Sequence, residues 1–167
     1  MTEEAKQCVL IFDEINIQKG LNYSGHADTV VGYVDLGEEG RSPEIASQGL
    51  VFMLKGVYNS WKMPIAYYLT SKVDAATLTK LLPRAINSCE MAGMRIRVVV
   101  ADGAPPNRSA FKRLGTTLDS PFIHHNGRRI YVMTDPVHLL KAPRNNLLTQ
   151  LRGQWLCNRI ETHKRFL

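Results

Sequence analysis

Two short apolar runs, each followed directly by an aspartate, most constrain how this chain of 167 residues can fold. Residues 8–12 form a continuous apolar run, which is typical of a strand buried on both faces of a sheet. Residues 95–101, centred on three valines, predict a second buried strand. Asp13 follows the first run and Asp102 follows the second. The sequence therefore predicts a sheet in which two buried strands end in a carboxylate.

The stretch between these two runs predicts further strands and then a helix. Residues 16–28 are polar, and residues 37–48, rich in Gly, Ser and charge, predict a loop. Asp74 is a good helix N-cap, and apolar residues recur at helical spacing from there to Gly93, with a kink expected at Pro83. The strands predicted here are residues 29–36, 50–58 and 63–69, the last two joined by a hairpin.

The second half alternates helices with strands. Pro105 suits the start of a short helix through Leu114, and Asn126-Gly127 between residues 122–125 and 128–134 is the strongest hairpin signal in the chain. A helix is predicted to open at Asp135-Pro136, and residues 144–167 predict a basic helical tail. The order predicts an α/β fold with a mixed sheet, in which three antiparallel strands precede parallel strands and helices flank the sheet. If the two buried strands are neighbours, the strand order changes direction between them, and such sheets bind ligands there.

The charge distribution indicates the class of partner, and the cysteine content indicates the redox compartment. Residues 1–90 carry 8 Lys/Arg and 11 Asp/Glu, a net charge of −3, whereas residues 91–167 carry 13 and 4, a net charge of +9. This asymmetry predicts a basic face for a polyanion, although solubility alone would also account for it. Cys8, Cys89 and Cys157 are too few and too widely spaced for a disulfide framework or a zinc site, and predict buried thiols in a reducing compartment. No apolar run approaches membrane-spanning length, so no membrane partner is expected.

Asp13 and Asp102 are the candidate metal ligands. A carboxylate at the end of a buried strand is costly to bury unless a metal ion, hydrogen bonds or a cationic partner compensates it. Two such aspartates on adjacent strands would place hard oxygen ligands side by side, which suits Mg²⁺. Paired Mg²⁺ ions can support phosphodiester cleavage. Each aspartate taken alone could instead cap a strand-to-loop turn, the commoner role for so short a motif.

The segment that begins at Asp135 supplies weaker candidates. Asp135 also ends an apolar strand, but a role as N-cap before Pro136 explains it fully. His138 follows in the first helical turn. Asp135 and His138 are candidates to hydrogen-bond the metal ligands without binding the metal ion themselves. The candidate contacts to a DNA backbone are Lys141, Arg144 and Arg152, with a solvated helix face as the alternative.

Six segments occur in a fixed order along the chain. They are LIFDE (10–14), GYVDLG (32–37), LVFM (50–53), SWKMPIAYY (60–68), ADGAPPN (101–107) and DPVHLLKAPRN (135–145). Together they closely resemble the ribonuclease-H-like domain of P-element-type transposases, a family that includes the THAP-domain transposase of vertebrates. The resemblance runs from about Cys8 to about Leu148.

The resemblance implies the catalytic core of a nuclear, cut-and-paste DNA transposase that uses an acidic triad with Mg²⁺ or Mn²⁺. Its partners would be transposon ends and target DNA, and the full-length protein would form a homo-oligomer. Asp13 matches the first catalytic aspartate of the family, and Asp102 matches the second.

The third catalytic residue of the family is a glutamate beyond an inserted GTP-binding domain, and nothing around Glu161, the only acid after Asp135, resembles its motif. We therefore expect residues 1–167 to be a single ribonuclease-H-like domain, incomplete at its C-terminal end and inactive by itself, with the GTP site outside it. The alternative is a domesticated, non-catalytic DNA-binding or protein-interaction module with the same fold.

Overall fold

The computed structural model of the protein describes residues 2–26 and 28–136, together with residues 147 and 149. Up to Thr134, the described residues contain ten strands, two α-helices and one turn of 3₁₀ helix at Gly37–Glu39. The strands are β1 (Gln7–Asn16), β2 (Asn22–Ser24), β3 (Thr29–Val31), β4 (Tyr33–Asp35), β5 (Arg41–Ile45), β6 (Gln48–Gly56), β7 (Lys62–Thr70), β8 (Arg95–Ala101), β9 (Phe122–His125) and β10 (Arg128–Thr134). The helices are α1 (Ala75–Met91) and α2 (Pro105–Arg113).

Eight of these strands form one mixed sheet in the order β5-β4-β7-β6-β1-β8-β10-β9, and β2 pairs with β3 in a separate ribbon. β1, β6 and β7 are consecutive antiparallel neighbours, whereas β8 lies parallel to β1 on its other side. The sheet thus grows in both directions from β1, so the strand order changes direction between β1 and β8. The predicted α/β fold, with antiparallel strands first, a parallel partner next and helices against the sheet, is confirmed.

The core lies on the face of the sheet that Leu10 and Phe12 share. These side chains are at most 2% exposed, because alternate residues of a strand point to the same face. The ring of Phe12 stacks on Phe52 of β6 at 5.3 Å between centroids and meets Phe111 of α2 at 6.1 Å. Buried residues of α1 belong to the same cluster, so both described helices pack on this face.

Helix α1 forms as the sequence predicts. Oδ1 of Asp74 accepts a hydrogen bond from the Thr77 backbone N–H at 2.7 Å, which lowers the pKa of Asp74 and confirms its role as N-cap. The buried residues of the helix recur at the predicted spacing, and the helix continues through Pro83. Gly93 follows the helix with a φ of +81°, a left-handed conformation that glycine adopts without steric cost. The buried residues are Leu78, Leu81, Leu82, Ala85, Ile86 and Cys89.

The predicted hairpin of β9 and β10 is confirmed at the predicted residues. Asn126 and Gly127 have φ angles of +47° and +73°, the combination that a type I′ turn requires. Two predicted buried thiols are also confirmed, because Cys8 and Cys89 are buried and free. Burial raises the pKa of the Cys89 thiol to about 11, with further contributions from Cys8 and Glu90.

The prediction of one strand at residues 29–36 is wrong. Gly32 breaks this segment with a φ of +113° and separates β3, which pairs with β2, from β4 in the main sheet. A Cβ atom on Gly32 would collide with the backbone carbonyl of Gly20. A glycine inside a strand pattern therefore marks a close approach of two backbone segments here.

The prediction that residues 37–48 form a loop is also wrong. They contain the 3₁₀ turn, the edge strand β5 and the start of β6. β5 is mostly exposed and carries Pro43, which is tolerated on an edge strand because that strand need not donate every ladder hydrogen bond. The polar stretch at residues 16–28 likewise includes the short strand β2.

The chain divides into two compact units, Met1–Met133 and Thr134–Leu167, and the first holds the sheet and both helices described above. In the second unit Pro136, Leu147 and Thr149 are helical, and Pro136 is where the sequence predicts a helix to open. Most of the predicted basic tail at residues 144–167 lies outside the described residues. Over the described part of the chain, no helix is both long and apolar enough to cross a membrane.

Candidate active site

The pairing of β1 with β8 aligns the two candidate aspartates. In this parallel ladder Val9 pairs with Val98 and Ile11 pairs with Val100. Asp13 and Asp102 each come two residues after this last pair, and Asp102 lies just beyond the end of β8, so the same register, if continued, places them level. Neighbouring strands lie about 4.8 Å apart. The expectation that both aspartates stand on adjacent strands is therefore met, and their sharing of a metal ion stays a prediction.

Asp13 differs from its predicted setting in one respect. β1 does not end there but continues to Asn16, paired with β6 throughout, and the Asp13 side chain is exposed. The expected cost of burying this carboxylate therefore does not arise. Its Oδ1 accepts a hydrogen bond from the backbone N–H of Glu14 at 2.8 Å. Asp13 is thus open to a ligand that approaches from solvent.

Asp102 lies directly after β8 and is half-buried, as the sequence predicts for a residue at the end of that strand. Its Oδ1 accepts two hydrogen bonds, from the backbone N–H of Ala104 at 2.9 Å and from Nδ2 of Asn107 at 2.6 Å. Oδ2 accepts none from any residue that the structure describes. One oxygen of Asp102 is therefore held in place while the other is available.

Asn107 is a site residue to which the sequence analysis assigned no role. It lies in the first turns of α2, is only 5% exposed, and uses its amide N–H to hold Asp102. Its own Oδ1 is buried and has no hydrogen-bond partner in the described part of the chain. The available signal was its place five residues after Asp102 in the segment ADGAPPN, at the start of a predicted helix.

Glu14 is a second residue that the sequence analysis passed over. Burial raises the pKa of its carboxyl, and the negative charges of Asp102 and Asp13 raise that pKa further. Both aspartates therefore lie within electrostatic reach of Glu14. The signal available in the sequence was its position next to Asp13 within LIFDE.

The remaining predicted site residues belong to the second unit of the chain. Asp135 is half-buried and lies between β10 and the helical Pro136, the position expected of an N-cap. The other candidates fall outside the described residues, so their roles stay predictions. They are His138, Lys141, Arg144 and Arg152.

The donor set fits a hard divalent cation, though incompletely. Asp13 and Asp102 offer carboxylate oxygens at the level where β1 and β8 run side by side, and oxygen donors are what Mg²⁺ prefers. Within the described residues no three His, Cys, Asp or Glu side chains gather closely enough to hold a metal ion. Two carboxylates and the buried amide of Asn107 amount to part of a metal site.

The mixed sheet, the parallel β1–β8 pair and the two aspartates define the class as a ribonuclease-H-like domain. The chain belongs to the family of TNP-like ribonuclease H N-terminal domains, whose family model matches residues 1–115. The expected resemblance to P-element-type transposases is thereby confirmed.

Two curated relatives and one solved structure agree with this family. The chain is 26% identical over 147 residues to the transposable element P transposase of Drosophila melanogaster, covering 84% of this chain and 17% of that protein. It is 22% identical over 149 residues to the human DNA transposase THAP9, covering 83% of this chain and 16% of that protein. The Drosophila P element transposase strand transfer complex matches with a TM-score of 0.70 and 24% identity, over 87% of this chain and 30% of that one, which shows the fold.

Proposed function

We propose that this chain is the metal-binding part of the catalytic core of a cut-and-paste DNA transposase. One observation carries the proposal: Asp13 and Asp102 each follow the last pair of the β1–β8 ladder by two residues, in a chain that belongs to a transposase-related family. In this role the chain acts on DNA, as the names of its relatives say of those proteins. The nuclear location, GTP dependence and homo-oligomer implied by the resemblance belong to the same proposal.

Asp13 and Asp102 would hold Mg²⁺ or Mn²⁺ through carboxylate oxygens. Such ions, when bound, stabilise the attacking and leaving oxygens in phosphodiester cleavage. Asp13 is exposed and meets a cation from solvent, whereas Asp102 is held rigidly through Oδ1 and presents Oδ2. Fixed geometry matters because Mg²⁺ demands near-ideal octahedral coordination. Two carboxylates hold one ion weakly, so we expect this chain alone to bind metal without cutting or joining DNA.

Titration of the ¹⁵N-labelled chain with Mn²⁺, followed by NMR, tests the proposal. Bound Mn²⁺ broadens the amide signals nearest to it, and we expect this first at Asp13, Glu14 and residues 102–104. The variants Asp13→Asn and Asp102→Asn keep the side-chain shape and should each abolish the localised broadening. Asp119→Asn, which changes an exposed aspartate in the loop before β9, is the matched control and should broaden like the unaltered chain.

The non-catalytic module with the same fold is the second candidate, favoured by the lack of a three-ligand cluster among the described residues. The two candidates differ in one outcome. DNA binding without any Mn²⁺ effect near Asp13 and Asp102 would overturn the catalytic proposal and support the module.

A further inference from the structure

We propose that Asn107 is a positioning residue that fixes Asp102 for metal binding, an inference that rests on the proposed function. Its side-chain amide donates to Oδ1 of Asp102 at 2.6 Å, slightly shorter than the roughly 2.7–3.2 Å usual for N–H···O bonds. Bonds to an ionised acceptor are shorter and stronger than neutral ones. Oδ1 of Asp102 thus accepts two hydrogen bonds, from Asn107 and from Ala104, and Oδ2 is left to bind the cation.

The start of α2 explains why a side chain is needed for this task. A helix normally offers free backbone N–H groups in its first turn, and these can hold a nearby carboxylate. Here Pro105 and Pro106 occupy the first two helical positions and have no N–H to give. The amide of Asn107 supplies a donor that the prolines cannot.

Asn107 is itself held firmly. It is 5% exposed on the buried side of α2, the side that also carries Ala110 and Phe111. The ring of Phe111 packs on Phe12, the residue before Asp13, at 6.1 Å between centroids. The same helix face therefore contacts the strand that carries Asp13 and the carboxylate of Asp102, and it sets both aspartates relative to one another.

The other end of the Asn107 amide has an unused acceptor. Oδ1 of Asn107 is buried and lacks a hydrogen-bond partner within the described part of the chain, a cost of roughly 1–3 kcal/mol for a polar atom. Such unsatisfied buried groups are rare in folded proteins.

Groups that hold a metal ligand from behind typically contribute about 10–100-fold to metal affinity. We therefore expect Asn107→Leu, which has a similar volume and no donor, to need about 10–100-fold more Mn²⁺ for the same broadening at Asp13 and Asp102. Asn107→Ala should show the same loss of Mn²⁺ affinity. Because alanine is smaller than asparagine, agreement of the two variants excludes a steric effect of leucine. Leu114→Ala is the matched control, because it removes core packing at the other end of α2, away from Asp102, and should keep the affinity of the unaltered chain.

Three outcomes of this Mn²⁺ titration are decisive. Weaker binding in both Asn107 variants, with unfolding temperatures no lower than that of Leu114→Ala, supports the positioning role. Unchanged binding in the Asn107 variants, while Asp102→Asn abolishes it, overturns that role and leaves the proposed function standing. Absence of localised broadening in the unaltered chain overturns the proposed function and the positioning role together.

Discussion

Glu14 and Asp102 share one electrostatic environment at the point where β1 and β8 run side by side. Burial raises the pKa of the Glu14 carboxyl, and the charge of Asp102, followed by that of Asp13, raises it further. The charges of both aspartates therefore reach Glu14 at the place where a cation is proposed to bind. The resulting repulsion is a cost that the chain bears without metal.

The first prediction concerns the pH dependence that Glu14 causes. With its pKa raised in the folded state, the folded chain holds more protons than the unfolded chain between the ordinary and the raised pKa. Stability therefore falls as pH rises through that window, and the full cost is present above the raised pKa. Glu14→Gln should unfold at a higher temperature than the unaltered chain at pH 7, and this gain should vanish below the ordinary pKa of glutamate.

Thermal unfolding followed by circular dichroism between about pH 3 and pH 8 measures this difference. Glu44→Gln is the control for losing one negative charge, because Glu44 lies on the edge strand β5, five strands away from β8. A Glu14→Gln gain that persists at low pH would show that packing, rather than charge, accounts for it.

The second prediction separates two costs at glycines with positive φ. Gly32 and Gly40 have similar φ angles of +113° and +109°, but a Cβ on Gly32 would meet the Gly20 carbonyl whereas one on Gly40 would meet nothing within 4 Å. Gly40→Ala should cost about 1–3 kcal/mol from backbone strain alone. Gly32→Ala should cost more, because the backbone of Gly20 must also move. Urea unfolding measures the free energy of unfolding of both variants. Equal losses would show that the close approach to Gly20 adds nothing to the cost of Gly32→Ala.

The third prediction concerns the attachment of the β9–β10 hairpin to α1. The Glu90 side chain is 12% exposed, accepts from Nδ2 of Asn126 at 3.0 Å and forms an ion pair with Arg128. Hydrogen bonds to charged groups contribute about 1.5–3 kcal/mol, so Glu90→Ala should lower the free energy of unfolding by about that amount. Asn87→Ala, on the exposed side of the same helix, is the control and should change it little. A loss in Glu90→Ala no larger than in Asn87→Ala would contradict this role.

The β-strands and the helix were predictable wherever a local pattern dictates them. The β8 bounds and the β9–β10 turn follow from an apolar run and from Asn126-Gly127, both of which specify structure within a few residues. β5 was missed because an exposed edge strand buries no face and so shows no alternation. The break at Gly32 depends on Gly20, which local patterns cannot reveal.

The sequence likewise predicts some residues of the candidate site and not others. Asp13 and Asp102 were predictable because each follows an apolar run that locates a strand. Asn107 and Glu14 were not, because their roles depend on α2 folding back against the end of β8 and on β8 lying beside β1. Asn107 reaches Asp102 only because the loop after β8 turns directly into α2.

The fourth prediction is that any affinity of this chain for DNA is electrostatic and independent of sequence. Residues 91–167 carry a net charge of +9, and charge neutralisation makes the logarithm of the binding constant fall steeply with the logarithm of salt concentration. Fluorescence anisotropy with labelled duplexes of unrelated sequence should give similar affinities at each salt concentration. Lys141→Ala should reduce the slope of this salt dependence by about one. Lys72→Ala, which changes an exposed lysine in the acidic half, is the control and should leave the slope unchanged. Salt-insensitive binding, or strong preference for one duplex, would contradict the prediction.

The most direct test of the proposed catalytic site is a crystal structure of the chain soaked with Mn²⁺, analysed by anomalous scattering. The account predicts an anomalous peak between Asp13 and Asp102, with carboxylate oxygens of both at about 2.1 Å, the distance typical of Mg²⁺ and similar small cations. Oδ2, and not Oδ1, of Asp102 should face the peak, because Oδ1 is already held by Ala104 and Asn107. A crystal in which Mn²⁺ occupies other carboxylates while Asp13 and Asp102 point apart and bind none would contradict the account.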